Sequence, residues 1–222
     1  MNKELLASHF QNVSFGKGVQ VLGINGMQIG KGSCIGDDSW LNVCKRDGKK
    51  HLFIGNSVLV GRRATLSTAG RLEIGSYCLL GPNTYISDAD HLYENWRTPR
   101  YLSGVTEGRT LIVEENCWIG VNAVISGSIT LGRGSVVGAN SVLLQSLPPF
   151  CVAVGNPAKI VKLWDPLMNL WERVEDELDV ERILLSREKK PIPTREEYLL
   201  ILGKQGDVTV DPVLSGREQH LL

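Results

Sequence analysis

One histidine in this chain is placed where it could accept a proton during a reaction. His91 follows Ser87-Asp88-Ala89-Asp90 and lies near the start of a long irregular stretch between Ile86 and Val113. Histidine has an unperturbed pKa of about 6.5, so its neutral ring can act as a base near neutral pH. A solvated histidine among acidic neighbours is the alternative. Its position where a long loop leaves a regular structure favours a functional role.

The sequence on both sides of this loop repeats with a period of six residues. Apolar residues occupy every sixth position in four blocks: Ile29, Ile35 and Leu41; Ile54, Val60 and Leu66; Ile74, Leu80 and Ile86; Val113, Ile119, Ile125, Leu131, Val137 and Leu143. Four positions after the anchors of the last block come mostly small residues: Cys117, Ala123, Ile129, Ser135 and Ser141. Glycine, at 24 of 222 residues, directly follows several anchors. This period fits neither a helix nor an alternating strand, and it predicts short parallel strands and tight turns wound into a solenoid. A β-sandwich would not hold one phase over so many repeats.

Several motifs in fixed order carry a family resemblance. Asp-x-Asp-His at 88–91 is followed by the loop, Cys-Trp-Ile-Gly at 117–120, Val-Gly-Ala-Asn-Ser-Val at 137–142 and Gly-Asn-Pro-Ala-Lys at 155–159. Together they resemble the hexapeptide-repeat, acetyl-CoA-dependent O-acetyltransferases, especially the branch that modifies sugars and cell-surface polysaccharides. The resemblance implies a mainly β fold, a left-handed parallel β-helix with three hexapeptides per coil. Fifteen anchors then predict about five coils within a domain of residues 1–163, interrupted by one excursion loop.

The resemblance also implies a mechanism. His91 would be the general base that takes the proton of an acceptor hydroxyl as it attacks the thioester of acetyl-CoA, in direct transfer within a ternary complex. Asp88 or Asp90 would orient the imidazole; strand alternation makes both point the same way, so the sequence does not choose between them. Cys117 occupies an inward position, as Cys78 does, so packing explains it better than a covalent acyl-enzyme.

Coenzyme and acceptor contacts follow from the same resemblance. The coenzyme would lie in a groove between subunits of a homotrimer, and its expected contacts are Trp118, Gly120, Ala139, Lys159 and Lys162. Packing on the coil wall is the alternative for Trp118, and simple solvation is the alternative for the lysines. The chain departs from the family pattern at Leu144-Gln145-Ser146, which puts one expected phosphate or adenine contact in doubt. The expected acceptor contacts are Asn83, Tyr93 and Trp96, with Tyr101 as a further aromatic, unless the loop aromatics form a small core of their own.

The last sixty residues lack the repeat and predict a helical extension, residues 164–222, that caps the solenoid or attaches a partner. Asp165-Pro166 followed by apolar residues at helical spacing from Leu167 to Leu178 predicts a first helix. A second is expected from Asp179 to Leu185. Thr194 and Glu197 predict a capping box for a third, ending near Gly203. Asp207–Leu222 is expected to be a short strand or a loose tail.

Composition limits the remaining classes of function. With 24 basic and 24 acidic residues, nothing predicts binding to nucleic acid or an anionic membrane, and no apolar run is long enough to span one. Five cysteines without a CxxC pair and no visible export signal predict a cytoplasmic protein with free thiols. A zinc hydratase of the same fold would need three imidazoles, and only His51 and His91 lie in the coils, so no metal is expected. The remaining alternatives are acetyl transfer to an antibiotic or amino sugar and a non-catalytic scaffold.

Overall fold

The computed structural model describes residues 3–204, and this part of the chain is a triangular solenoid of parallel strands. Each coil contributes one short strand to each of three sheets, here called faces A, B and C in chain order. Face A contains β1 (Ser14–Phe15), β4 (Cys34–Ile35), β7 (Leu59–Val60), β10 (Leu79–Leu80), β13 (Trp118–Ile119), β16 (Val136–Val137) and β18 (Cys151–Gly155), and continues into β19 (Ala158–Asp165) and β20 (Leu170–Arg173). Face B contains β2 (Gln20–Leu22), β5 (Trp40–Val43), β8 (Thr65–Thr68), β11 (Tyr85–Ser87), β14 (Val124–Ser126) and β17 (Val142–Leu143). Face C contains β3 (Met27–Ile29), β6 (Leu52–Ile54), β9 (Arg71–Ile74), β12 (Thr110–Val113) and β15 (Thr130–Leu131).

The six-residue period corresponds to one face and one corner of this triangle. All fifteen predicted anchors are buried and form one continuous core with the small residues that follow them. Five coils have strands on all three faces, and a sixth is completed by a bridge between Leu131 and Leu147. The predicted parallel β-helix is therefore confirmed. Phe15 and Val21 supply two faces of the first coil that the anchor blocks did not include, and the predicted anchor Ile29 supplies the third.

Both ends of the solenoid are covered. At the amino end, α1 (Lys3–His9) places Leu6 against the first coil, with Phe10 just beyond it. Sequence reasoning did not predict this helix. At the other end, α2 (Glu177–Lys189) packs on β19 and buries Ile183 in the core. Between residues 3 and 204 no helix has the length and apolar character needed to cross a membrane.

The helix predicted from Asp165 to Leu178 is wrong. β19 runs through Asp165, the chain turns, and β20 pairs antiparallel with β19. The Asp165 carboxylate accepts hydrogen bonds from the amides of Leu167 and Met168, which closes a turn and does not start a helix. Pairing with β19, which itself covers the edge of β18, prevailed over helical spacing, because an unpaired strand edge is costly.

The other two predicted C-terminal helices are present. α2 begins two residues before the predicted Asp179 and extends beyond Leu185. α3 (Arg195–Gly203) begins with the predicted capping box of Thr194 and Glu197. The expected boundary between the β-helix and the extension, at residue 163, falls inside β19. The paired strands β19 and β20 therefore connect the last coil to the helices of the extension. The strand or tail expected at Asp207–Leu222 lies outside the described residues.

Candidate active site

The root of the His91 loop is fixed by a buried carboxylate. Asp88 directly follows β11 and is 1% exposed. Its Oδ2 accepts hydrogen bonds from the Thr68 hydroxyl (2.9 Å) and from the amides of Gly70 (3.0 Å) and Arg71 (2.8 Å). Its Oδ1 accepts one from the amide of Ala69 (2.9 Å). Asp88 therefore binds the corner of the preceding coil with its whole carboxylate.

A short antiparallel neck then positions His91. The amide of Thr106 donates to the Asp90 carbonyl (2.8 Å), and the amide of Leu92 donates to the Gly104 carbonyl (3.1 Å). His91 itself pairs with Val105 in an antiparallel bridge. The loop returns to the coil at Arg109, whose carbonyl accepts the amide of Arg71 (3.0 Å). Both ends of the excursion are thus tied to the same turn, residues 68–71, which holds the histidine at the corner between faces B and C.

The two aspartates beside His91 face different surroundings, so the expectation that both point the same way is wrong. The chain leaves the regular strand at Ser87, and strand alternation no longer applies beyond it. Asp90 is exposed; it accepts the His91 amide (2.9 Å) and lies 4.0 Å from the Arg109 guanidinium. Within residues 3–204 neither aspartate forms a side-chain hydrogen bond with the imidazole.

Aromatic side chains project from the outer part of the loop and form no small core. Tyr93, Trp96 and Tyr101 are 66%, 74% and 80% exposed. The Arg97 guanidinium lies 4.7 Å from the Trp96 ring centroid. Arg100 donates to the carbonyls of Tyr93 and Asn95 and fixes the backbone beneath the rings. Rings presented in this way have the flat amphipathic faces that can stack on a sugar.

Asn83 lies at a different corner from His91. It adopts a left-handed conformation between faces A and B (φ 59°), as Asn122 and Asn140 do one and two coils further on. Its amide group donates to Asn122 Oδ1 (2.9 Å) and accepts from Arg63 Nε (2.8 Å). Asn122 in turn donates to Asn140. This ladder of side chains stacks the AB corners, and the structure does not bring Asn83 to the histidine.

Two of the coenzyme candidates lie in one row across the outside of face A. Trp118 pairs with Val136, Val136 with Val152, and Val152 with Lys162. Neighbouring strands are spaced by about 4.8 Å. The backbone positions of Trp118 and Lys162, three strands apart, are therefore separated by roughly 14 Å. Trp118 is 53% exposed, and Lys162 is also exposed. The row is an open strip with an aromatic side chain at one end and a cation at the other.

Gly120 and Ala139 lie at the AB corner next to this strip. A Cβ on Gly120 would be 2.4 Å from the Ala139 nitrogen, so glycine is required here for coils to stack. Ala139 is exposed, and so is Lys159 on the hairpin that follows the last coil.

At the departure from the family pattern, Leu144 is exposed and the Ser146 hydroxyl accepts the amide of Thr130 (3.0 Å). The Ser146 side chain therefore stabilises the stacking of neighbouring coils at this corner.

The inward thiols are protected from chemistry. Cys78, Cys117 and Cys151 are buried. Burial and the hydrogen bond with Cys78 raise the pKa of the Cys117 thiol well above its usual range. Burial raises the pKa of Cys151 to about 11. The thiolate is the nucleophilic form, so Cys117 and Cys151 are packing residues.

The row from Trp118 to Lys162 is called the coenzyme strip below, because it holds two of the expected coenzyme contacts. Within one chain the candidate base and this coenzyme strip are far apart. The BC corner, where His91 emerges, is the vertex opposite face A, which carries Trp118 and Lys162. Six extended residues per side give a triangle roughly 17 Å high.

Sequence reasoning also missed Thr68 and the turn 69–71, which anchor the loop. The only signal of this turn in the sequence is that two residues more than the six-residue period requires lie between β8 and β9.

Comparison with known proteins agrees with this architecture. The family model "Hexapeptide repeat of succinyl-transferase" matches residues 110–145. Rv3034c of Mycobacterium tuberculosis, named as a probable acetyltransferase, is 32% identical over 153 residues, covering 68% of this chain and 49% of the relative. WcaF of Escherichia coli, which carries the provisional name of a colanic acid biosynthesis acetyltransferase, is 29% identical over 57% of this chain and 61% of its own length. The chain thus spans about half to three fifths of the length of these relatives.

A solved structure shares the fold. A mutant of AntD, an N-acyltransferase from Bacillus cereus in complex with dTDP and coenzyme A, superposes with a TM-score of 0.58 at 17% identity, covering 83% of this chain and 96% of AntD. The solenoid is accordingly a left-handed parallel β-helix, as the sequence predicted. With its stacked hexapeptides, its long excursion at His91 and these acetyltransferase relatives, the chain belongs to the hexapeptide-repeat acetyltransferase family.

Proposed function

We propose that this protein transfers an acetyl group from acetyl-CoA to a hydroxyl of a sugar or of a cell-surface polysaccharide precursor. Support comes from the family, from the names of relatives such as WcaF, and from the Lactococcus lactis galactoside O-acetyltransferase, which is 26% identical over 51% of this chain. The exposed rings of Tyr93, Trp96 and Tyr101 beside His91 suit a sugar acceptor. The coenzyme strip would bind acetyl-CoA, with Trp118 beside the pantetheine and with Lys159 and Lys162 near its phosphates.

His91 acts as the general base in this proposal. Its ring takes the proton of the acceptor hydroxyl while the oxygen attacks the thioester carbonyl. The carbon–sulfur bond then breaks, the protonated imidazole returns the proton to the departing thiolate, and the products are an acetyl ester and free coenzyme A. Asp88 contributes by fixing the loop, because its carboxylate is fully bonded to residues 68–71.

The position of His91 at the vertex opposite face A is the observation that carries the proposed assembly. One chain cannot bring the base to its own coenzyme strip, whereas a neighbouring copy can place its strip beside that corner. We therefore place the active sites between the subunits of a homotrimer, each site using His91 of one chain and Trp118 and Lys162 of the next.

Loss of the base is the first test. His91→Ala is expected to lower acetyl-CoA-dependent thiol release by at least about 100-fold while coenzyme binding and oligomeric state stay unchanged. His9→Ala removes another exposed histidine, on α1, and is the matched control. Acceptors to be compared are neutral sugars, polysaccharide fragments, amino sugars and aminoglycosides, so the same assay separates oxygen from nitrogen transfer. Near-normal turnover of His91→Ala would refute the assignment of the base.

Subunit mixing tests the shared site. A chain carrying His91→Ala and a differently tagged chain carrying Trp118→Ala and Lys162→Ala are each expected to be nearly inactive. When the two are co-expressed in equal amounts, about a quarter of the sites receive an intact base from one chain and an intact strip from the next. The whole preparation should therefore recover up to about a quarter of wild-type activity, and mixed trimers purified through both tags, which contain one such site in three, up to about a third. A site contained in a single chain predicts no recovery.

A further inference from the structure

A basic segment lies between β5 and β6, at residues 44–51. It holds four of the 24 lysines and arginines of the chain, Lys45, Arg46, Lys49 and Lys50, but only one of the 24 acidic residues, Asp47. Residues 44–50 are all exposed. In a chain with no net charge, this is a strong local concentration of positive charge.

The one carboxylate in the segment is occupied by other groups. Asp47 Oδ1 bonds to His51 Nε2 (2.8 Å) and accepts the backbone amide of Lys49 (3.0 Å). Lys50 Nζ donates to the Met27 carbonyl (2.6 Å), which anchors the segment to the coil. In the described part of the chain no carboxylate forms an ion pair with the side chains of Lys45, Arg46 or Lys49. Three cations therefore lie on this exposed segment without an ion pair among the described residues, and the one carboxylate beside them is bonded to His51 and the Lys49 amide.

This segment occupies the same corner of the solenoid as the His91 loop. His51 Nδ1 bonds to the Gly70 carbonyl (2.7 Å), and the Gly70 amide donates to Asp88 Oδ2 (3.0 Å). The turn 68–71 is therefore a common base for the basic segment on one side and the His91 loop on the other. The two excursions leave the BC corner two coils apart, which is about 10 Å along the solenoid axis.

We propose that the basic segment 44–51 binds a phosphate or diphosphate group carried by the acceptor, while a hydroxyl of the attached sugar lies at His91. The inference rests on the proposed function for the reacting hydroxyl, and on the separate geometry of the BC corner for the anion. Two of the three cations without an ion pair, Lys45 and Lys49, are lysines, which bind a compact, highly charged phosphate as point charges, whereas a planar carboxylate favours the fork of arginine. A separation of about 10 Å fits a sugar with a phosphate on its anomeric oxygen.

Direct binding of inorganic diphosphate tests the site without relying on turnover. The protein is saturated with coenzyme A, so that the coenzyme phosphates occupy their own positions, and diphosphate is titrated by calorimetry. The triple variant Lys45→Ala, Arg46→Ala, Lys49→Ala is expected to bind diphosphate at least about tenfold more weakly than wild type. The matched control removes three exposed lysines from other corners and from the end of α2, Lys17→Ala, Lys31→Ala and Lys190→Ala, and should bind as wild type does.

Further probes identify what carries the phosphate. Uridine-diphosphate glucose and geranyl diphosphate are compared in the same titration, and tighter binding of one of them tells whether a nucleotide or a lipid bears the diphosphate. Equal loss of affinity in the two triple variants, or no binding of any diphosphate by wild type, overturns the inference. Binding to phosphatidylglycerol vesicles that diphosphate does not displace also overturns it, in favour of a membrane surface.

Acetyl transfer is measured on the same samples. If thiol release requires His91 but diphosphate binding does not require the basic segment, the enzymatic proposal stands and the phosphate site fails. If the basic segment binds diphosphate but His91→Ala retains turnover, the phosphate site stands and the proposed base fails.

Discussion

Replacing Asp88 should release the loop that carries His91. The Asp88 side chain is buried, and its carboxylate is the acceptor for one hydroxyl and three backbone amides at the turn 68–71. Asp88→Asn keeps the size of the side chain. If its amide oxygen takes the place of Oδ2, its NH₂ group must face the Ala69 amide, so that two donors meet at about the present hydrogen-bond distance.

The expected free-energy cost follows from this inventory. One buried donor without an acceptor costs about 1–3 kcal/mol. Three charge-assisted hydrogen bonds become neutral ones, each roughly half as strong, which adds about 0.5 kcal/mol apiece. The anchor should therefore weaken by about 3 kcal/mol, and since 1.4 kcal/mol is a factor of ten, local opening becomes about 150-fold more frequent. Asp88→Ala, which removes the carboxylate acceptor of the Thr68 hydroxyl and of the Ala69 and Gly70 amides while the Arg71 amide keeps the Arg109 carbonyl, should cost more.

Amide hydrogen exchange measures the effect where it occurs. In Asp88→Asn the amides of Ala69, Gly70 and Arg71 should lose about 100-fold in protection, and turnover should fall with them because the base is no longer held. The amide of Val124, bonded to Ser141 in the next coils, reports global unfolding and should change less. Asp90→Asn, at an exposed carboxylate, is the control and should leave this protection intact. Protection within about threefold of wild type in Asp88→Ala would refute the anchoring role.

Three further predictions concern other parts of the coil. Gly120→Ala should destabilise the fold by about 1–3 kcal/mol in urea denaturation, because the new methyl group overlaps the Ala139 nitrogen; an unchanged midpoint with a raised KM for acetyl-CoA would instead assign the glycine to the coenzyme groove. Cys117→Ala should keep turnover within about threefold, and intact mass after exposure of the wild type to acetyl-CoA should show no acyl-enzyme, because burial keeps the thiol protonated. Burial raises the pKa of Asp165, but hydrogen bonds from backbone amides and the Ser186 hydroxyl outweigh it and lower the pKa overall. Its stabilising contribution is thus present above the unfolded-state pKa of about 3.9 and is lost as pH falls through the lower folded value, so Asp165→Asn should flatten the acid limb of the stability profile, and an unchanged acid limb would contradict this.

The solenoid was predictable because its physics is local and repeated. Each coil needs one apolar residue per face and a small residue at the corner. Equivalent anchors such as Leu80 and Ile119 therefore recur in every coil, and each of them indicates the same fold. The capping box at Thr194 was predictable for the same reason, because it is complete within four residues. In contrast, the helix predicted after Asp165 failed because helical spacing describes one segment by itself, whereas β20 pairs with β19, which is itself paired with β18 of the last coil.

The candidate site could be predicted only in part. The break in the period identified His91 and its loop. The partners of Asp88 could not be identified, because most of them are backbone amides of residues 69–71, which carry no side-chain signal. Asn83 has the chemistry of a sugar ligand in the sequence, yet the coil stacks its amide group between Arg63 and Asn122. Side-chain type indicated what each residue can do, whereas stacking of the coils determined which groups it meets.

The two halves of the proposed reaction depend on different parts of the triangle. The coenzyme strip consists of ladder positions on face A, where Trp118 and Lys162 are separated by whole inter-strand steps and every coil must keep its register. The acceptor side consists of excursions at the BC corner, the basic segment 44–51 and the His91 loop, which are joined through the turn 68–71. Insertions at a corner leave the strands above and below in register, because each coil is held by its neighbours. A change of acceptor therefore requires only new loops at that corner, whereas a change of coenzyme would require new ladder residues in several coils at once.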